Sequence, residues 1–194
     1  MNYGHSRPGG AGGGVVLLNV SAAVVLGSGA TIAANGAAGT GGHGGYTSGS
    51  EPSSGGGGGS GGSVLIMASS VTGSGKIEAN GGKGGDRAEN TYYDRWGRCG
   101  GGGGGGRIAV HASSSLSPGV VLSAIGGDSG GESAEPAAAG TIFTEVDAVR
   151  TLVVDNSPTS ALTKVGTVTI PASGESAVDV DVLTVTNSVV SLHG

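Results

Sequence analysis

An internal repeat of about 45 residues is the feature that most constrains how this chain can fold. The segment 28–36, with the sequence SGATIAANG, is matched by SGKIEANGG at 74–82 and more weakly by the segment 121–127. The anchor residues of the copies stand 45 residues apart: Asn35, Asn80 and Ile125. A repeat of this length is typical of architectures in which each unit packs only on its neighbours. The sequence therefore predicts a single repetitive domain.

Each repeat contains short apolar runs that are bounded by glycine, serine and asparagine. The runs are rich in valine and isoleucine and occupy the positions 15–20, 64–68, 107–112 and 141–146. Such β-branched runs of about four to eight residues are typical of strands, and no segment has a helical period. In the third run Ile108, Val110 and Ala112 alternate with the other residues, so one face of that strand is predicted to be buried. The chain is therefore predicted to be all-β, with a core of small aliphatic side chains.

The predicted architecture is a parallel β-helix, or solenoid, in which successive rungs stack about 4.8 Å apart. Residues 1–140 form its glycine-rich part, and residues 141–194 continue the solenoid without long excursions. Asn-Gly pairs begin at Asn35 and Asn80, and they keep β-hairpins open as an alternative because Asn-Gly is typical of hairpin turns. Terminal repeats normally need a polar cap, and none follows the last apolar run. The sequence is therefore expected to be a piece of a longer protein.

Runs of glycine separate the apolar runs, and glycine supplies 45 of the 194 residues. If it were ordered, the run at 100–106 would cost on the order of 3.5–7 kcal/mol in backbone entropy relative to alanine. Two interpretations follow: flexible low-complexity loops, or extended polyglycine strands that pack closely on one side of the solenoid. We expect the second, because the runs at 55–62 and 100–106 lead directly into apolar strands.

Composition and charge exclude several classes of partner. The net charge is −5 with only nine lysines and arginines, so the chain lacks the basic surface that nucleic-acid binding needs. No apolar stretch approaches the length of about 18 residues that a membrane span requires, so no membrane insertion is expected. The four histidines lack metal-ligand spacing, and the single cysteine, Cys99, can form no internal disulfide. We therefore expect no cofactor and no structural metal.

Five segments together resemble a known class of repeat module. They are GSGGSVLI at 59–66, GKIEANGG at 75–82, GGGRIAV at 104–110, AGTIF at 139–143 and LVVDN at 152–156. In composition and order they resemble the glycine-rich repeat modules of very large secreted or cell-surface, adhesin-like β-helix proteins, over residues 10–194. The resemblance implies an extracellular or cell-surface module of adhesin-like or matrix-like character. It carries no shared catalytic residues.

The least repetitive stretch is an insertion at 86–99 between two glycine runs, with the sequence DRAENTYYDRWGRC. It holds three of the six aromatic residues and three of the six arginines of the chain. Aromatic rings beside arginine are typical of surfaces that stack on sugar rings or anchor a protein contact. The predicted binding residues are Tyr92, Tyr93, Arg95, Trp96 and Arg98. The alternative is that these rings only cover an open side of the solenoid.

No constellation typical of catalysis is found in the sequence, so a non-enzymatic structural or adhesive role is predicted. Exposed end strands offer unpaired backbone edges, which favour head-to-tail addition of further subunits into a filament. The expected partners are copies of the chain itself or neighbouring domains of a larger protein, with a glycan as a further possibility.

Two other functions remain as alternatives. A polysaccharide-binding or polysaccharide-degrading β-helix domain would use the 86–99 insertion to line a sugar groove, with paired carboxylates as acid and base. The candidate carboxylates are Asp179, Asp181, Glu132 and Glu135, although alternating aspartates on a strand usually only increase solubility. The more remote alternative is an ice-binding solenoid, because threonines are paired on strand faces at Thr167, Thr169, Thr184 and Thr186.

Overall fold

The structure of the protein is a computed structural model. It describes residues 7–43, 52–90, 95–131, 134–135, 137–156, 166–171 and 179–193. In these ranges the regular structure consists of β-strands, and the prediction of an all-β chain is confirmed. The strands are β1 Val15–Asn19, β2 Ala23–Leu26, β3 Thr31–Ala33, β4 Ser63–Gly73, β5 Lys76–Glu78, β6 Glu89–Asn90, β7 Arg95–Trp96, β8 Arg107–Leu116, β9 Val121–Ser123, β10 Thr141–Val146, β11 Val149–Asp155, β12 Gly166–Pro171, β13 Val182–Thr186 and β14 Ser188–His193.

The sheets are mixed and mostly parallel. The larger sheet has the strand order β1-β4-β8-β10-β11-β13, with β2 beside the second half of β4. A smaller sheet has the order β3-β5-β9, and β12 pairs with β14 in parallel. Antiparallel pairing occurs between β10 and β11 and between β6 and β7. Strands that are distant in sequence are thus neighbours, as a repetitive sequence requires.

The sequence repeat is reproduced in the register of the strands. In the smaller sheet Ile32 pairs with Ile77, and Ile77 pairs with Leu122, so each partner lies one repeat further along the chain. In the larger sheet Val64 pairs with Ile108 in the same way. The first three repeats therefore each contribute one strand to the smaller sheet and one or two strands to the larger sheet, and equivalent side chains lie next to each other.

The core consists of small aliphatic side chains, and both sheets contribute to it. Ile66 on β4, Ile77 on β5 and Val110 on β8 are fully buried. The predicted alternation on β8 is confirmed, because Ile108, Val110 and Ala112 are buried while Arg107, Ala109 and His111 are not. The opposite face of the larger sheet, defined here as the outer face, therefore carries the alternate residues of each strand.

The glycine runs form two layers of extended segments that are joined by backbone hydrogen bonds. The first glycine layer contains the segments 8–14, 55–62 and 98–106, and the second contains 34–42, 79–86 and 123–130. In the segment 55–62 the bonds have a period of three residues. The N–H groups of Gly55, Gly58 and Gly61 donate to Arg98, Gly101 and Gly104 in the same layer at 2.8–2.9 Å. Those of Gly56, Gly59 and Gly62 donate to Thr40, Ala37 and Ala34 in the second layer at 2.7–2.9 Å.

A period of three identifies the conformation of these segments. An extended chain of the polyproline II type has about three residues per turn, so every third N–H group points to the same neighbour. A β-strand has a period of two and would direct its N–H groups to two sides only. Among the described glycines only Gly29 and Gly73 have positive φ, which agrees with this conformation for the runs.

Close packing of backbones explains why glycine fills the runs. A Cβ atom on Gly58 would overlap the carbonyl oxygen of Gly82, and one on Gly59 would overlap that of Ala11. At Gly57 the nearest atom would be 3.8 Å away, so this third position of the triplet is open. The same pattern holds in 81–86, where two glycines alternate with Lys83 and Asp86. In these inner segments two of every three residues must be glycine, and the third can carry a side chain.

Asparagine side chains connect neighbouring repeats where the small sheet meets the second glycine layer. The Asn35 Oδ1 atom accepts the N–H of Asn80 at 2.7 Å, and Asn80 Oδ1 accepts the N–H of Ile125 at 3.0 Å. Asn156 is fully buried, and its Oδ1 atom accepts the N–H of Gly126 at 2.9 Å. The two anchor asparagines of the sequence repeat, Asn35 and Asn80, are therefore hydrogen-bond bridges between successive repeats, and Asn156 makes a similar bridge to Gly126.

The chain reverses direction between β10 and β11. The two connecting residues, Asp147 and Ala148, have φ of 49° and 64°, which is the pattern of a type I′ hairpin turn. As a result β11 and β13 run opposite to the first strands of the larger sheet. The repeat pattern predicts parallel neighbours and gives no sign of this reversal, because neither turn residue is Gly or Asn.

Candidate functional site

The predicted binding insertion at 86–99 contains a short hairpin. Tyr92 and Tyr93 lie outside the described residues. Arg95 and Trp96 form β7, whose backbone pairs with β6 in the register Glu89 to Trp96. The structure thus describes Arg95, Trp96 and Arg98 but not the two tyrosines of the predicted site. A role of these residues in binding stays a prediction.

Arg98 is the one predicted site residue whose side-chain exposure is described, and it is exposed. Its backbone is held by the first glycine layer. The N–H of Arg98 donates to Ser54 Oγ at 3.2 Å, and its carbonyl accepts the N–H of Gly55 at 2.8 Å. The insertion therefore returns at a fixed point of the glycine layer, with the Arg98 side chain directed to solvent.

The aspartates considered as a catalytic pair are engaged with an arginine. Asp179 and Asp181 lie 3.0 and 3.8 Å from the guanidinium nitrogens of Arg150. Asp181 also accepts the backbone N–H of Arg150 at 2.7 Å. These contacts hold the chain before β13 against the start of β11. Glu132 lies outside the described residues, so the second proposed pair is not described.

A different cluster lies on the outer face of the larger sheet. Met67, His111 and Glu145 occupy the same register position on β4, β8 and β10. The His111 Nδ1 atom is 2.7 Å from Glu145 Oε2, and each side chain is 40% exposed. The imidazole ring also lies 5.6 Å from the ring of Phe143, inclined by 50°. The cluster can exchange hydrogen bonds with a polar ligand while it offers an aromatic edge.

Sequence reasoning missed this cluster for a physical reason. His111 and Glu145 are 34 residues apart, and no local motif connects them. They meet because β8 and β10 pair in parallel with His111 opposite Glu145. A signal did exist, since aligning the apolar runs 107–112 and 141–146 places these two residues at the same position.

An open groove of about 610 Å³ lies beside the His111–Glu145 pair. It runs between the middle parts of β4 and β8 and the turn after β10, and its lining residues are Met67, Ala68, His111, Ala112, Ser113, Glu145, Asp147 and Ala148. Within the described ranges no three His, Cys, Asp or Glu side chains are grouped so that they could hold a metal ion. The lining residues of the groove offer hydrogen-bonding groups and apolar contacts to a ligand.

A second groove of about 380 Å³ lies where the first glycine layer enters the larger sheet, between Val15, Ser63 and Arg107. Its floor is backbone, because the other lining residues are glycines. Along the layer from this groove, the N–H groups of Gly57, Ser60, Gly101 and Gly104 have no hydrogen-bond partner among the described residues. They occupy the third position of each triplet, which points away from both layers.

The outward positions of the second glycine layer carry side chains instead. Lys83 and Asp86 are successive third positions of one segment, and their side chains are 2.9 Å apart. The hydrogen bond from Lys83 to Asp86 and the negative charge of that carboxylate raise the pKa of Lys83.

The part of the chain that is described contains no helix long and apolar enough to cross a membrane. Comparisons with protein-family models, curated proteins and solved structures find no match to this chain.

Proposed function

We propose that this chain is a non-enzymatic structural or adhesive module of a secreted or cell-surface protein. In this proposal the two sheets and the two glycine layers are the sides of one solenoid of the parallel β-helix type. The observation that carries it is the hydrogen-bond network of the glycine layers, which joins each repeat to the next. Such a network uses the backbone as its contact surface and gives the module stiffness along the stack.

A balance of energies shows how such layers can be ordered. Five of the seven N–H groups in the run 100–106 donate backbone hydrogen bonds. At a net contribution of about 1 kcal/mol each, they supply about 5 kcal/mol. This is of the same size as the backbone entropy cost of about 3.5–7 kcal/mol for seven glycines. The folded glycine layers are therefore stable where many segments are hydrogen-bonded side by side, as in an extended array of repeats.

Head-to-tail assembly is the sharper form of the proposal, and the two edges of the larger sheet support it. At one edge Val15 and Leu17 of β1 are 79% and 61% exposed. At the other edge lies β13, where Leu183 is 54% exposed. Because β13 runs antiparallel to β1, the two edges of successive copies can add to each other as an antiparallel pair. Exposed edges of this kind favour strand addition.

A proline on β1 tests head-to-tail assembly. The N–H of Ser63 donates to Gly14 and the N–H of Val20 donates to Met67, so even-numbered residues of this segment bond to β4. The N–H of Leu17 is therefore directed to the open edge.

We expect particles that lengthen with concentration in light scattering and electron microscopy, and we expect Leu17→Pro to abolish this growth. Val121→Lys, at an exposed position on the smaller sheet, is the matched control. A wild-type chain that stays monomeric at high concentration would rule out the filament.

Glycan binding is a second candidate function, favoured by the groove beside His111 and Glu145. A ring edge next to hydrogen-bonding side chains is a common way to hold a sugar. The test is binding to a panel of polysaccharides, for which we expect His111→Ala to remove the signal. Turnover of an acidic polysaccharide would instead support the degrading enzyme that the sequence left as an alternative.

A further inference from the structure

Asn19 lies in a sequence motif that the proposed function does not use. Of the seven asparagines of the chain, it is the one followed two positions later by a hydroxyl residue, in the order Asn19, Val20, Ser21. Asn-X-Ser/Thr, with X other than proline, is the acceptor motif for N-linked oligosaccharides on secreted proteins. Such a short motif also occurs by chance, so its use depends on the exposure and the contacts of Asn19 in the fold.

The fold leaves the motif accessible. Asn19 is the last residue of β1, an edge strand that pairs with β4 alone among the described strands. The chain bends directly afterwards, at Ser21 and Ala22, and both of these residues and Asn19 are exposed. The acceptor amide of Asn19 and the hydroxyl group of Ser21 can therefore be reached from solvent without opening the core.

The carboxamide of Asn19 differs from those of the asparagine bridges. Asn35, Asn80 and Asn156 each use the side-chain oxygen to accept a backbone N–H at 2.7–3.0 Å. The side chain of Asn19 makes no hydrogen bond within the described part of the chain. Attachment of a sugar to Nδ2 of Asn19 therefore breaks no hydrogen bond of the described fold.

The position of Asn19 on the sheet places such a glycan beside the groove described above. Asn19 is in register with Met67, Met67 with His111, and His111 with Glu145, so the four side chains form one row of the outer face. Neighbouring strands are about 4.8 Å apart, which places Asn19 about 10 Å from His111 across the sheet. Met67, His111 and Glu145 line the groove. A sugar chain that follows this row meets the apolar side chain of Met67 first and the hydrogen-bonding pair next.

We propose that Asn19 carries an N-linked oligosaccharide whose first sugars lie over Met67 in the groove beside His111 and Glu145. The inference rests on the proposed function in one respect, because the modification requires entry into a secretory compartment. In the transfer step, Nδ2 of Asn19 forms a bond to the anomeric carbon of an oligosaccharide that is carried on a lipid diphosphate. The bond from that carbon to the diphosphate oxygen breaks, the lipid diphosphate leaves, and the amide loses one proton.

The attached glycan is compatible with head-to-tail growth. Side chains stand roughly perpendicular to a sheet, whereas a further strand is added in its plane through backbone groups. The sugars on Asn19 therefore lie above the sheet and leave the edge of β1 open. The glycan also gives the groove a definite ligand, which is the chain's own. In a chain without it, the groove is open to an external glycan, as the second candidate function requires.

Expression in a eukaryotic host tests the acceptor. A signal peptide is fused before residue 1, and mass spectrometry is applied to the exported chain and to the chain inside the secretory pathway. We expect a single oligosaccharide that is released by peptide N-glycosidase, which converts the acceptor asparagine into aspartate and so locates the site. Asn19→Gln and Ser21→Ala should each abolish the modification, and Ser21→Thr should keep it.

An unmodified Asn19 in both pools would overturn the inference. The proposed structural role would stay intact, because light scattering of the unglycosylated Asn19→Gln variant measures filament growth independently.

Proton NMR of the histidine side chains tests the placement of the sugars. The imidazole signals of His111, assigned with the His111→Ala variant, are compared between the glycosylated chain and Asn19→Gln. His43, which lies outside the larger sheet, is the matched control. We expect the glycan to shift the signals of His111 and to leave those of His43 unchanged. Unshifted His111 signals in a glycosylated chain, or equal shifts of both histidines, would contradict the placement in the groove.

Discussion

Glycine has two different roles at the residue scale, and position in the triplet decides which. At the first two positions the missing side chain lets backbones of neighbouring segments come within hydrogen-bonding distance. At the third position the residue points away from the layers, and side chains are tolerated. The sequence contains this rule in GGSGGS at 58–63 and GGKGGD at 81–86. Sequence analysis missed it, because the triplets are confined to single segments and do not recur along the whole chain.

Two neighbouring glycines test this rule. A Cβ atom on Gly103 would overlap the carbonyl oxygen of Gly59, whereas one on Gly104 would meet nothing within 4 Å. We expect Gly103→Ala to lower the free energy of unfolding by about 3 kcal/mol or more, because backbone cannot easily move away. Gly104→Ala should raise it by about 0.5–1 kcal/mol through lower entropy of the unfolded chain. Denaturant titrations of both variants measure the difference, and equal effects would contradict the packing described for the layers.

At the turn residue Ala148 we expect glycine to be more stabilising than alanine. Its φ of 64° is in the left-handed region, where a Cβ atom costs about 1–2 kcal/mol. We therefore expect Ala148→Gly to stabilise the chain by about 1 kcal/mol in thermal or denaturant unfolding, after part of the gain is offset by backbone entropy. A loss of stability would show that the β10–β11 connection is not a type I′ turn.

At the scale of elements, strands could be predicted from local sequence, but their neighbours only in part. The apolar runs at 15–20 and 107–112 correspond to β1 and β8, because β-branched residues bounded by glycine have few other options. The alignment of Asn35 with Asn80 also identified true neighbours. The antiparallel pairing of β11 and the contact of His111 with Glu145 depend on tertiary register, which no local pattern records.

The asparagine bridges are the element-scale feature that is most sensitive to mutation. Asn156 is completely buried and also donates from Nδ2 to the carbonyl of Ala137 at 3.1 Å. Asn156→Ala would leave the N–H of Gly126 buried without its partner, so we expect a loss of about 1–3 kcal/mol. Asn35 is exposed, and Asn35→Ala should cost less because water can replace its contacts. Chemical unfolding of the two variants checks this order, which would be reversed if Asn156 were not a buried bridge.

The whole molecule combines two kinds of backbone hydrogen bonding in one repeat. Sheets with a period of two enclose an aliphatic core, and glycine layers with a period of three continue the same chain segments beyond it. The central claim is that the glycine runs are ordered in this way and are not flexible loops. Stiffness along the stack and the use of glycine both depend on it.

Hydrogen exchange of individual amides, followed by NMR on the Leu17→Pro variant, in which we expect no head-to-tail growth, tests this claim most directly. In 55–62 and 100–106 the account predicts two slowly exchanging amides followed by a fast one. The fast amides should be those without partners among the described residues: Gly57, Ser60, Gly101 and Gly104. Uniformly fast exchange across both runs would show flexible loops, and slow exchange at every second residue would show ordinary strands. Either result would contradict the account.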